Sequence, residues 1–400
     1  MVNIAIVTNW FPAGAGYVSK SYRDSLEAQG ANVFIYARGG KTMSGDKNWD
    51  DDSVTWAPLH NGDIIVRHFL KWLDSKSIHV VFFNEQRYWK PVIEAKKHGY
   101  CIGAYIDYYT QKTVPAFEIY DFLICNTEKH FSVFNWHENA FYIPWGTDIE
   151  KFKPEYTEQR GLVKFVISAG WQLTKNADRR GSIIGLEAFL QTEGDAELQF
   201  YSQSGYEETP NEFKSLIESD NRVKFITGTF DPFPFYQGDV YLYPSRLDGI
   251  GLTVPEALSS GLAVITTNNA PMNEFVKDNF NGKTVDVAKY LGRYDGYYWA
   301  ESLINKKKLI EAIQSYIDNP ETLKKHKETA RRDACKRLDW RKNSSQILNR
   351  IESIYSSERK KISRNIFEKC RELDRIYKPG IKDHLKKALS VFKKDLIYRL

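Results

Sequence analysis

Residues 239–276, DVYLYPSRLDGIGLTVPEALSSGLAVITTNNAPMNEFV, decide the fold, because they read as strand, glycine loop, helix and strand in immediate succession. The apolar run Val240–Tyr243 ends at Pro244-Ser245, and Gly249 and Gly251 precede Thr253 and Pro255, which suit a helix start. Gly261 stops that helix. A helix opened in this way aims free backbone N–H groups and positive dipole past the strand end, where a phosphate is favoured. Asp248 and Glu256 bracket the loop. A carboxylate accepts hydrogen bonds from paired hydroxyls, so an acid beside an anion site points to a ribose or sugar held next to its diphosphate.

Outward from this stretch, strand patterns alternate with helical ones. They fall at 2–8, 32–37, 79–83, 101–106, 121–125 and 140–143, then at 164–169, 197–202, 223–226, 239–243 and 262–267. Two successive parallel sheets are the simplest architecture. Between the two series lies IPWGTDIEKFKPE, residues 143–155, whose Pro144, Gly146 and Pro154 mark an irregular connection. The expected organisation is a first Rossmann-like domain over 1–152 and a second over 153–340. Helical patterns at 306–318 and 321–356 follow, the latter broken near Asp339-Trp340. Residues 341–357 then form a helix returning toward the first domain, and 358–400 a basic helical tail.

Four hundred residues suffice for two α/β domains with ordinary cores. Cys101, Cys125, Cys335 and Cys370 are scattered without a CxxC, which reads as reduced thiols of a cytoplasmic protein. MVNIAIVTNWFP at the start is a short buried strand rather than a signal segment, and no apolar run reaches membrane-spanning length. Residues 358–400 hold fourteen Lys/Arg against six Asp/Glu, a net of +8; with +5 for the whole chain, the first 357 residues carry −3. In the tail, Ile381, Leu385, Leu389, Phe392 and Leu396 share one helical face while lysines crowd the other. Two readings stand: a helix packed on protein, or a foot on an anionic membrane surface at its inner face. No nucleic-acid partner is expected.

After the first strand, NWFPAGAGYVS places Gly14 and Gly16 at a helix start with Val18, Tyr22 and Leu26 on one face. As a GxGxxG it is degenerate: Ser19 holds the third place, and the second strand ends in Arg38 rather than an acid. An ordinary turn explains it nearly as well as a ligand loop. The second domain opens FVISAGWQLTKNADRRGSIIGLEAF, where Lys175, Arg179 and Arg180 precede a helix; three cations there would neutralise a diphosphate leaving group. Asp50-Asp51-Asp52 contains a DxD triplet, a metal-binding pattern elsewhere, but no hydrophobic strand positions it and it reads as a solvated loop. The eight histidines show no HxxxH or HxH spacing, so no catalytic metal is expected.

From about residue 3 to about 356 the chain resembles glycosyltransferase family 4, with its two-domain GT-B fold and interdomain cleft. The resemblance rests on PSRLDGIGLTVPEALSSGLAVIT and IPWGTDIEKFKP. It implies that Asp248 and Glu256 occupy the places of the family's two glutamates. Glu256 would hold ribose hydroxyls; Asp248 and the backbone of Gly249, Ile250, Gly251, Leu252 and Thr253 would face the transferred sugar. Arg180 would match the diphosphate lysine, Lys175 and Arg179 are candidates for a second cation, and Glu274 would match the acid closing the donor loop. The family arginine after the second domain's first strand is absent, since Trp171 follows Gly170.

Two departures matter. Asp248 is one methylene shorter than glutamate, so it reaches about 1.5 Å less far, altering donor choice or requiring a water. The family often has a histidine after the fourth strand, whereas GAYIDYYTQ puts Asp107 there, as a sugar-binding group or an ordinary turn aspartate. Asn84-Glu85 ends the preceding strand.

The resemblance implies a retaining glycosyltransferase that moves a sugar from a UDP- or GDP-sugar to a glycan or lipid-linked acceptor, in surface polysaccharide or glycoconjugate synthesis. One rival is an NADP-dependent oxidoreductase using Gly14, Gly16 and Arg38, which leaves Asp248 and Glu256 unexplained. The other is a non-catalytic subunit that binds sugar nucleotide or glycan, motivated by the aspartates at 107 and 248.

Overall fold

A computed structural model describes residues 1–59, 63–155, 161–170, 178–359 and 361–377. The first half runs β1 (Asn3–Asn9), α1 (Gly14–Ala28), β2 (Asn32–Gly39), β3 (Val54–Trp56), α2 (Val66–Ser75), β4 (Val80–Asn84), α3 (Lys90–Lys97), β5 (Cys101–Tyr105), β6 (Phe122–Cys125), α4 (Glu128–Phe134) and β7 (Ala140–Tyr142). Its seven strands form one parallel sheet in the order β3-β2-β1-β4-β5-β6-β7. The second half runs β8 (Val163–Gly170), α5 (Ser182–Phe189), β9 (Ala196–Ser202), α6 (Asn211–Glu218), β10 (Val223–Thr227), β11 (Val240–Tyr243), α7 (Thr253–Ser259), β12 (Ala263–Thr267), α8 (Met272–Phe275) and β13 (Gly282–Val285). These six strands are parallel in the order β10-β9-β8-β11-β12-β13. The chain therefore has two Rossmann-like α/β domains.

The central strands are buried on both faces, which is why β4 (VVFFN), β5 (CIGAY) and β11 (VYLY) read as unbroken runs rather than alternating ones. Every expected strand is present with ends shifted by a residue or two. Three features add to them. β3 is three half-buried residues, too short to stand out. β13 begins at Gly282, where a Cβ would collide with the Val264 carbonyl, so the close packing that defines the strand removes the side chain that would have announced it. β14 (Val287–Leu291) and β15 (Glu301–Ile304) pair as an antiparallel hairpin whose first strand exposes Ala288, Lys289 and Tyr290.

Helices α9 (Lys306–Asp318), α10 (Pro320–Arg337), α11 (Trp340–Asn343), α12 (Ile347–Ser356) and α13 (Arg364–Tyr377) complete the described chain. The break near Asp339-Trp340 has a cause in the backbone. Thr147 N donates to Leu338 O at 2.7 Å and Trp340 N to Thr147 O at 3.0 Å, so the chain crosses back to the first domain there. The Trp340 indole donates to Ser21 O at 3.1 Å and packs on Trp145 and Tyr22, with ring centroids 4.4 and 5.4 Å away. Truncating so large a buried ring costs about 3–5 kcal/mol. α12 then starts against the C-terminal end of α1, with Leu348 N on Gln29 Oε1 at 3.1 Å. α13 packs on the same domain: Asp374 accepts from the Trp89 and Lys90 amides at 2.8 Å, and Cys370 and Leu373 are buried. The amphipathic face from Ile381 to Leu396 lies outside the described residues. Among the described residues no helix is long and apolar enough to cross a membrane.

Candidate functional site

A parallel sheet opens a crevice where strand order reverses. In the second sheet that point lies between β8 and β11, and in the first between β1 and β4. The loop after β11 is pinned by buried Leu247 and Ile250 and by Gly251, whose φ of 82° and contact with the Met272 methyl leave no room for a Cβ. Asp248 accepts from the Tyr243 hydroxyl at 2.5 Å and the Gly249 amide at 2.9 Å. Burial pushes its carboxyl up, but the facing charge of Arg179, the Tyr243 hydroxyl and Arg180 outweigh burial and hold it below the usual carboxylate range. Among the described residues, the amides of Ile250, Gly251, Leu252 and Thr253 donate to no protein acceptor.

Across the crevice, Gly181 adopts φ 70° where a Cβ would collide with Pro244 O, so the start of α5 packs on the end of β11. This sets Arg179 and Arg180 beside the loop. The first amides of α5 are not open to an anion, because Asp178 accepts from Ser182 N at 2.9 Å and Ile183 N at 2.8 Å. The cations carry that task instead. Arg180 is steadied by Ser168, with Nη1 at 3.1 Å from its carbonyl and 3.3 Å from its hydroxyl. Arg179 is exposed, and the charge of Asp248 raises its guanidinium. Lys175 and Trp171 lie outside the described residues.

Glu256 sits in the first turn of α7, half-buried, with no hydrogen-bond donor on its carboxylate among the described residues. Burial pushes it to about 8, with Lys151 and Arg180 drawing it down and Asp231 pushing it up. Arg180 thus acts on both Asp248 and Glu256, and the three share one cleft. Tyr17 of α1 is pushed to about 12 by burial, then by Asp231 and Glu256, which places the first domain's glycine loop opposite Glu256. Gly14 borders open space, whereas a Cβ on Gly16 would collide with Phe11 O. Gly16 is a packing glycine.

Two features of the first domain argue against a nicotinamide dinucleotide. Ser19 is buried, donating to Thr8 Oγ1 at 2.8 Å and accepting from Asn84 Nδ2 at 2.6 Å, so the third place of the glycine pattern is structural. Arg38 is 6% exposed, with Nη2 on Asn84 O at 2.8 Å and Glu85 O at 2.7 Å. It props the end of β4. Glu85, held by that prop, has φ 51°, a left-handed conformation unusual outside glycine. Its carboxyl meets Asp107, which burial, then Glu85, pushes well above the usual range, against the opposing pull of Arg179. Asp107 Oδ1 occupies the space a Cβ on Gly249 would take. The first domain therefore presents Asp107 directly to the Asp248 loop.

Several contributors escaped the sequence reading. Trp299 Nε1 donates to Tyr109 Oη at 2.6 Å, Tyr109 Oη to His130 Nδ1 at 2.9 Å, and His130 Nε2 to Gly249 O at 3.0 Å. Only the Nε2–H tautomer satisfies both histidine contacts. Tyr297, in the segment linking β14 to β15, stacks on Tyr108 at 5.2 Å and donates to Asp107 O at 3.1 Å. The aromatic run YDGYYW at 294–299 was the available signal. Glu274 accepts from the Glu128 and Lys129 amides at 2.7 and 2.9 Å and fastens α8 to α4 across the domain boundary.

Among the described residues no group of three or more His, Cys, Asp and Glu converges as a metal site. Asp50 accepts from Gly45 N and Trp56 Nε1, and Asp51 pairs with Arg23 and Ser53, so both fasten their loop to itself, to α1 and to β3.

A family model described as Glycosyl transferases group 1 matches residues 204–333, a span that includes Asp248 and Glu256. No curated protein matches the chain by sequence. Among solved structures, the chain is similar to a sucrose-phosphate synthase from Thermosynechococcus elongatus, with 15% identity, TM-score 0.69, and 90% of this chain and 100% of that one covered. It is similar to Anabaena Alr3699/HepE in complex with UDP-glucose, with 15% identity, TM-score 0.66 and 88% and 100% covered. It is also similar to WaaG, a glycosyltransferase involved in lipopolysaccharide biosynthesis, with 15% identity, TM-score 0.62 and 87% and 99% covered. The shared fold is GT-B: two Rossmann-like domains facing each other across a cleft.

Proposed function

We propose that the protein is a glycosyltransferase that takes its sugar from a nucleoside-diphosphate sugar bound in the interdomain cleft. One observation carries this reading: Gly181 packs on Pro244 O and Arg246 N donates to Arg179 O at 2.8 Å, which sets both arginines beside the Asp248 loop, while Asp107 closes over Gly249 from the other domain. A sugar nucleotide fits that order of groups. Its ribose hydroxyls would meet Glu256, its diphosphate Arg179 and Arg180, and its sugar Asp248 and Asp107. Lys175 is proposed as a further phosphate contact, and Gly14 as the point where the first domain leaves room for the ligand.

Glycosyl transfer builds positive charge on the sugar ring and negative charge on the departing diphosphate. Arginines preorganised on the phosphate side and an ionised Asp248 on the sugar side stabilise both charges without reorganisation. Charge stabilisation by side chains requires no metal. The resemblance to family 4 extends the proposal to retention of anomeric configuration, with the leaving phosphate assisting deprotonation of the acceptor. UDP-glucose in Alr3699/HepE supports a UDP-sugar as the first donor to try, and the acceptor is proposed to be a glycan or lipid-linked glycan. The proposal extends the basic residues beyond Tyr377 to an anionic membrane surface; liposome flotation of the full chain against a truncation after Tyr377 tests it, equal flotation discarding it.

The functional test is donor hydrolysis and transfer. Activity with one sugar nucleotide that disappears in Glu256→Ala, with the fold retained by circular dichroism, supports the reading. Undiminished activity in that variant overturns it.

A further inference from the structure

A cavity of about 700 Å³ is lined by none of Asp107, Arg179, Arg180, Asp248 and Glu256. Its walls come from both domains: Lys129 on α4, Asn269, Asn273 and Lys277 around α8, and Tyr290 and Trp299 from the β14–β15 hairpin. The volume is that of a small-molecule site. Lys129 is 5% exposed, and among the described residues its Nζ has no hydrogen-bond acceptor. It lies 5.2 Å from the centre of the Trp299 ring, a cation–π contact that leaves the ammonium's hydrogen bonds unmade. A buried ammonium with unmade hydrogen bonds costs free energy unless a ligand supplies acceptors.

The cavity has a direction. Lys129 senses the charges of Asp248, Glu274 and Asp107, and the next residue, His130, contacts Gly249 O at 3.0 Å. The cavity therefore adjoins the loop that carries Asp248, where the transferred sugar would lie. Its lining mixes two aromatic rings with amides, ammonium groups and the carboxylates of Glu128 and Glu274, the surface that a saccharide uses: ring C–H faces on aromatics, hydroxyls on side-chain amides and charged groups. Tyr290 is 58% exposed, so one aromatic wall is ready to be covered.

We infer that this cavity is the acceptor subsite and takes a saccharide unit, with Trp299 and Tyr290 against the sugar faces, Asn273 on its hydroxyls, and Lys129 positioning the hydroxyl nearest Asp107 and Asp248. The inference rests on the glycosyltransferase reading of the cleft. It adds where the acceptor sugar would sit, and that the hairpin supplies part of its site.

Binding of methyl glycosides of glucose, galactose, mannose and N-acetylglucosamine to the full chain, with and without UDP or GDP, tests it by calorimetry. At least one glycoside is expected to bind, and Tyr290→Ala, Asn273→Ala and Lys129→Met each to weaken it about tenfold. The melting shift given by the nucleotide is followed in parallel. Glycoside binding that is equal in wild type and all three variants overturns the inference, as does no glycoside binding by protein that still responds to nucleotide. Glycoside binding lost in the variants while no nucleotide shifts the melt supports the saccharide site and sinks the donor reading instead.

Discussion

His130 Nε2 lies 3.0 Å from the carbonyl oxygen of Gly249, tying α4 of the first domain to the loop that carries Asp248. Behind it stand Tyr109 and Trp299, so one hydrogen-bond chain runs from the hairpin through the first domain to the loop. Burial, then the Lys129 charge, pulls the imidazole to about 3, which keeps it neutral and in the one tautomer that fits.

Tyr109→Phe removes the middle of that chain and leaves the Trp299 N–H and His130 Nδ1 without partners. A loss of about 1–3 kcal/mol is expected in denaturant unfolding. His130 itself should show no imidazole titration by NMR between pH 8 and 5. Because its folded value is depressed, its contribution to stability is present above 6.5 and lost as pH falls from 6.5 toward 3.

Glu256 gives the opposite sign. Its folded value is raised from 4.5 to about 8, so the stability it contributes is complete below 4.5 and is lost as pH rises through 8. Glu256→Gln should therefore be more stable than wild type at pH 8.5, by at least about 1.4 kcal/mol, the equivalent of one pKa unit. Ribose hydroxyls donate to the ionised carboxylate, so binding of a UDP-sugar at pH 7 should release a proton from wild type and none from Glu256→Gln. Calorimetry in buffers of different ionisation enthalpy measures that proton.

Arg180→Met should lower kcat/KM for transfer by about 10²–10³, the scale for losing one preorganised group on developing negative charge. The guanidinium's only protein acceptors among the described residues are on Ser168, so thermal unfolding should move little. A variant that unfolds early at unchanged kcat/KM would give Arg180 a structural role alone.

Glu85→Gly relieves a left-handed φ and removes the carboxyl that crowds Asp107. Stability should rise by up to about 1 kcal/mol, and Asp107 should titrate lower, as read by carboxyl NMR. Transfer should fall at the same time, because strain kept at a strand end facing the cleft is paired with function.

The parallel sheets were legible because strands such as Val80–Asn84 and Val240–Tyr243 are buried on both faces and read as solid apolar runs. That Asp248 and Glu256 bracket one loop was legible because strand end, loop and helix start are consecutive in the chain. Glu274 shows the limit: its position beside the donor loop says nothing of the Glu128 and Lys129 amides it accepts from, which are about 145 residues away. His130, Lys129 and Trp299 were hidden for the same reason. Their chemistry comes from the meeting of two domains and a hairpin, and no local spacing records it. Asp178, four residues before Ser182, was a readable cap that the three cations beside it obscured.

The central claim is that an activated sugar lodges between the domains, and the change in melting temperature on adding individual UDP- and GDP-sugars tests it most directly. A ligand that binds only the folded chain raises stability by about 2.7 kcal/mol at a hundred times its Kd. One or more sugar nucleotides should raise the melting temperature of wild type and fail to do so for Glu256→Ala and Arg180→Met. If no sugar nucleotide moves the wild-type transition at millimolar concentration, or the two variants respond as wild type does, the cleft is not a donor site.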